Sequence, residues 1–115
     1  MVVVQGILTV IKHEKDDDYH LVLSDPADPS GETTMIVESP DPSCAEGSAV
    51  FDRIVAVRQH IDTFFRGPIQ RKRAESIPVT VTGVLFFDPL HGQEGVAPNG
   101  IELHPILDIR FPGEQ

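Results

Sequence analysis

The chain has 115 residues, a formal charge of −9 and 40% hydrophobic residues, which suits a single globular domain over residues 1–115 with one core and is too short for two. The acid excess repels polyanions and argues against nucleic-acid or anionic-membrane binding, and no apolar run reaches the roughly 18 to 20 residues of a membrane helix. The lone Cys44 excludes an internal disulfide and reads as a small buried hydrophobe.

Val2 to Ile11 is rich in β-branched residues and reads as a strand, with Gly6 at the place of a bulge or barrel bend. The opening Met-Val-Val-Val-Gln-Gly has neither the basic flank nor the cleavage site of a secretory signal, so a cytoplasmic or a trimmed secreted protein is expected. After the charged turn His13 to Asp18, Tyr19, Leu21 and Leu23 alternate with His20 and Val22 in a second strand. The turn formers Asp25 to Gly31 close a hairpin onto a third strand, Thr33 to Glu38, which ends at Ser39-Pro40-Asp41-Pro42.

Between Ala49 and Phe65, Val50, Ile54, Val57, Ile61 and Phe64 recur at spacings of three and four, the stripe of an amphipathic helix. Ser43 with Glu46 matches a capping box, Ser48 is the competing cap, and Gly67-Pro68 stops the helix. Ile77 to Phe87, with Gly83 inside it, and Ile101 to Phe111, with Pro105 disturbing its ladder, are strands four and five. Arg66 to Arg73 collects cations without an acid and reads as a solvated helix-to-strand linker. Three strands, one helix and two strands predict an all-β fold with one helix, a five-stranded barrel of the oligonucleotide and oligosaccharide binding type, the OB-fold. The alternative is a small open antiparallel sheet with one packed helix.

The blocks Asp18-Tyr19-His20-Leu21-Val22-Leu23, Thr34-Met35-Ile36-Val37-Glu38 with Pro42-Ser43-Cys44, and Val79-Thr80-Val81-Thr82-Gly83 running on to Ala97-Pro98-Asn99-Gly100-Ile101-Glu102-Leu103-His104-Pro105 resemble a family of small bacterial proteins, some of them secreted. The resemblance covers most of the chain and is most specific from His91 to Pro105. Asp17 stands where the pattern has glycine, Pro89 where it has an aromatic, and Glu94 where it has a smaller polar residue. No activity is assigned to that family, so the resemblance implies no chemistry.

The long connection from Asp88 to Gly100 is where a site is expected, because an ordered loop of that length is uncommon unless it works, and Leu90, Val96 and Ala97 offer apolar surface to dock it. Strand parity puts His20 opposite Tyr19 and Leu21, and Glu102 and His104 opposite Ile101 and Leu103. Glu38 at the end of strand three then approaches Glu102 or His104, while Asp88 and His91 come over from the loop with the Asn99 amide. Imidazoles and carboxylates are metal ligands and also acid/base partners, but no spacing here is diagnostic. Asp16-Asp17-Asp18 reads as a solvated turn, since the EF-hand pattern is absent.

The favoured reading is a non-catalytic binding module, with a protein, peptide or sugar-like partner recognised by His20, Glu38, Asp88, His91, Asn99, Glu102 and His104. No cofactor is predicted for it. The rival is a metal-dependent hydrolase holding a divalent ion with His20, His91, Glu102 and His104. A third reading, single-stranded nucleic acid bound through Arg71, Lys72 and Arg73, suffers from the charge and from the lack of Trp and scarcity of Tyr for base stacking.

Overall fold

A computed structural model describes residues 1–98 and 100–114. Strands β1 (Val2–His13), β2 (Tyr19–Ser24) and β3 (Thr34–Ser39) precede helix α1 (Phe51–Phe64), and β4 (Arg73–Phe87) and β5 (Ile101–Arg110) follow it. All five strands belong to one sheet. β1 pairs antiparallel with both β2 and β4, β2 with β3, and β4 with β5. A parallel contact with Val37 opposite Leu103 joins β3 to β5, so the order β1-β2-β3-β5-β4 returns to β1 as a closed barrel.

The two-residue period of β2 sends Tyr19, Leu21 and Leu23 inward, where they meet Leu8, Val37, Val81, Leu103 and Ile106 in the core. From α1, Val57 and Ile61 enter the same core, each fully buried side chain of this kind contributing about 1.5 to 3 kcal/mol. Ile54 is also buried, whereas Val50 precedes the helix and is half-buried. Phe64 remains partly exposed and stacks on Phe111 with ring centroids 3.9 Å apart.

The helix begins later than its periodicity suggests. Neither expected cap is used: the N-cap position is Val50, without a side-chain cap, and Ser48 Oγ accepts only from the Val50 N–H, at 3.1 Å, in the turn that leads into the helix. Ser43 instead lies in a short 3-10 turn, Pro42–Ala45, where its hydroxyl donates to Asp41 Oδ2 at 2.6 Å. Cys44, in that turn, is exposed rather than buried, because the turn lies outside the strands and the helix whose periodic faces fill the core. At the other end the Gly67 N–H closes onto the Asp62 carbonyl at 2.8 Å, with Arg66 in the left-handed region.

β4 starts at Arg73, ahead of the apolar run, because the long β1 still offers partners there: Val10 faces Ala74 and Ile11 faces Arg73. The ladder defect expected at Pro105 is present: the β4–β5 register shifts on both sides of Gly83, the second shift falling between the pairs Gly83–Ile106 and Leu85–Leu103 that flank Pro105. On β1 the shift falls between Leu8 and Val10 rather than at Gly6. Arg58 fastens the helix to the barrel rim, its guanidinium lying 3.7 Å over the Tyr19 ring and donating to the carbonyls of Asp17 at 2.9 Å and Ser39 at 2.7 Å.

Candidate functional site

All of β2 from Tyr19 to Leu23 is buried, although a strand of a closed barrel ordinarily buries only alternate residues. The reason is the 88–100 loop, which folds back over the outer face of β2. Its neck closes where the Asp88 N–H donates to the Gly100 carbonyl at 3.0 Å and the Gly100 N–H to the Ala97 carbonyl at 2.9 Å. Farther along, the Glu94 carbonyl accepts from His20 Nε2 at 3.0 Å. The Glu94 carboxylate takes Lys12 Nζ at 3.0 Å and Lys72 Nζ at 2.8 Å, and the two ammonium groups hold its pKa below the ordinary glutamate value.

Gly95 follows with φ +79° and packs so closely on Val22 that an added Cβ would collide with the valine methyl carbons. The loop is therefore fixed mainly by polar anchors and one glycine contact. Leu90, expected to dock it, stays 60% exposed, while Val96 and Ala97 are half-buried.

Beneath the loop, the β2–β3 ladder sets His20 opposite Glu38, and β1 sets Lys12 opposite His20. His20 Nδ1 lies 3.0 Å from Glu38 Oε1 and 3.6 Å from Glu14 Oε1. His20 is 4% exposed and Glu38 8%. Glu38 Oε2 is buried without a hydrogen-bond partner among the described residues. Burial works to lower the His20 pKa, but hydrogen bonds to Glu38 and the Glu94 carbonyl, with the charges of Glu38 and Glu14, outweigh it and leave the imidazole above its ordinary value. For Glu38, burial dominates the opposing hydrogen bond from His20 and holds the carboxyl above the usual range.

The parallel contact of β3 with β5 brings Glu102 and His104 to the same outer face. His104 Nδ1 is 3.5 Å from Glu102 Oε1, and its ring sits 5.5 Å from that of Phe86. Burial, then the charge of Asp88, raises the Glu102 pKa against the pull of His104 and His20. Asp88 and His91 pair with each other at 3.2 Å on the exposed side of the loop. Asn99 lies outside the described residues.

Six of the seven candidates thus resolve into a buried His20–Glu38 pair, an adjoining Glu102–His104 pair and a separate Asp88–His91 pair. His91 and His104 do not join His20 in a ligand cluster. Among the described residues, the group whose ligand atoms lie within 4.8 Å of one another is Glu14, His20 and Glu38. Sequence reasoning missed Glu14, visible only as part of a charged turn, and passed over Glu94, noted solely as an unusual residue at its position. The acidic turn is engaged internally: Asp18 accepts from the Asp41 N–H at 2.8 Å, and Asp17, at φ +69° where the resembled pattern has glycine, pairs with His13 at 2.8 Å. The cations Lys72 and Arg73 are likewise spent on Glu94 and Glu75.

A second surface is apolar. Val84, Leu85, Phe86 and Phe87 are 42%, 53%, 48% and 66% exposed. Leu85, Phe86 and Phe87 pair with β5 on one side, whereas the β1 partners of β4 reach no farther than Val2 opposite Gly83. No helix among the described residues is long and apolar enough to cross a membrane. No family model, curated protein or solved structure matches the chain.

Proposed function

We propose that the chain is a non-catalytic binding module on an OB-type barrel, and that it takes an extended segment of a protein partner along the end of β4. The OB reading draws on the β1-β2-β3-β5-β4 order, the parallel β3–β5 contact and the helix between β3 and β4. The face of β2 on which such barrels receive ligands is occupied here by the chain's own loop. Recognition therefore moves to the neighbouring surface.

The observation that carries the reading is the exposed run Val84–Phe87. Its strand has one side without a partner strand among the described residues, so its backbone N–H and C=O groups face outward as a template for an added strand. The run contains no charge in a chain of net −9, which suits an apolar peptide and not a polyanion. Four consecutive exposed apolar residues are a costly surface unless something covers them.

A display library of random peptides selected on the purified chain tests this. Extended peptides with alternating apolar residues, shifting the amide resonances of residues 84–87 and lost in Leu85→Asp and Phe87→Asp, support the reading. Binders that map elsewhere or survive both substitutions overturn it, as does sedimentation showing that a second copy fills the edge.

A further inference from the structure

The three side chains Glu14, His20 and Glu38 come from the β1–β2 turn, β2 and β3, and they converge beneath the loop. The Glu94 carbonyl can only accept, so the hydrogen of a neutral His20 sits on Nε2 and the Nδ1 lone pair points at two carboxylates. Lys12 is the cross-strand neighbour of His20, yet its Nζ is committed to Glu94. With the ring neutral, one nitrogen lone pair and two carboxylates face one another; with the ring protonated, Nδ1–H donates to Glu38, and a bound ion takes the place of that proton.

The spacing fits an ion. Ligand atoms bound to a tetrahedral centre at 2.0 to 2.2 Å lie roughly 3.3 to 3.6 Å apart. Here the Nδ1–oxygen distances are 3.0 Å and 3.6 Å, so Glu38 needs to withdraw by only a few tenths of an ångström. The buried, unpartnered Glu38 Oε2 is an independent sign: a carboxylate binding through both oxygens would satisfy it. A carbonyl that fixes the far nitrogen of the imidazole is the usual outer support of a metal-bound histidine. The Glu14 side chain, 36% exposed, leaves the outer side of the group open to an ion and its water.

We infer that Glu14, His20 and Glu38 form a binding site for a divalent first-row transition ion of the zinc or manganese class. Zinc is the best fit, because one imidazole with two carboxylates suits it and zinc binds such donors more tightly than manganese. Calcium, which takes six to eight oxygens, is a poor match. The ion ties the β1–β2 turn to β3 under the loop. This site is independent of the β4 edge.

Isothermal titration of the untagged, chelator-treated full chain with zinc, manganese and calcium chlorides tests the inference. One equivalent of zinc per chain, a melting temperature that rises to saturation, and a long-range NMR correlation in which His20 Nδ1 shifts while Nε2 keeps its hydrogen are the expected results. Glu14→Gln and Glu38→Gln should each weaken zinc at least tenfold, and His91→Ala should leave it unchanged. Should Glu38→Gln fail to fold, Glu14→Gln at its half-exposed position decides the matter. Absence of stoichiometric zinc, undiminished affinity in Glu14→Gln, or shifts confined to His13, His60 or His91 would overturn the site.

Discussion

Replacing Gly95 by alanine probes the contact that holds the loop on the barrel. Two costs arise. An L-residue at φ +79° carries about 1 to 2 kcal/mol of backbone strain, and the new methyl overlaps Val22, a stiff β-branched side chain 3% exposed. Overpacking of that kind adds about 1 to 3 kcal/mol. The loop's release limits the total, because the segment can lift away and lose the Glu94–His20, Glu94–Lys12 and Glu94–Lys72 contacts instead. Gly95→Ala should therefore lower the urea midpoint, speed amide exchange around residues 93–96, and move the His20 ring resonances. Adding Val22→Ala removes the overlap with the two valine methyls and leaves the φ strain and the close approach to the residue 22 Cβ at 3.0 Å, so the double-mutant cycle should show a favourable coupling of at least about 1 kcal/mol. An unchanged midpoint with native exchange in Gly95→Ala, or a cycle without coupling, would refute the docking of Gly95 on Val22.

Tyr19→Phe keeps the ring under Arg58 but removes a hydroxyl that donates to Asp62 at 2.7 Å and accepts from the buried Ile69 N–H at 3.0 Å; a loss of about 1 to 3 kcal/mol in denaturant unfolding is expected, and a loss under about 0.5 kcal/mol would mean that the N–H finds another acceptor. Hydrogen bonds from the Thr33 hydroxyl, then from Ser30 and the Thr33 backbone, lower the Asp28 pKa from 3.8 to about 2. Because the folded value lies below the unfolded one, the stability this carboxylate brings to the β2–β3 connection is present above pH 3.8 and disappears as the pH falls through about 2. A carbon-13 titration of the Asp28 carboxyl with a midpoint near 3.8 would contradict this. Fluorescence anisotropy with single-stranded oligonucleotides should detect no micromolar binding near physiological salt, since Lys72 and Arg73 are paired with acids in a chain of net −9; binding at that strength would restore the nucleic-acid reading.

The periodicities in the sequence determined which elements form and which side each strand buries. Tyr19, Leu21 and Leu23 face the core because a strand alternates, and Val57 and Ile61 face it because they lie four residues apart on a helix. Chemistry at His20 and Glu38 was legible in the same way, as polar residues at outward positions that come to stand opposite each other in the ladder. What lies above those positions was not legible. Periodicity describes a residue's orientation within its own element, whereas the burial of His20 and Val22 depends on where a segment some 70 residues away returns.

Glu94 shows the limit most clearly. Its role combines a main-chain carbonyl, which every residue possesses, with two lysines from separate elements, so nothing local to Glu94 distinguishes it. Glu14 joins His20 only through the hairpin register, and Leu90 stays exposed although its side chain is suited to docking. Local pattern determined the strands and the helix. The closing of the sheet and the return of the loop, both contacts between distant parts of the chain, decided which of their outward residues became an interior.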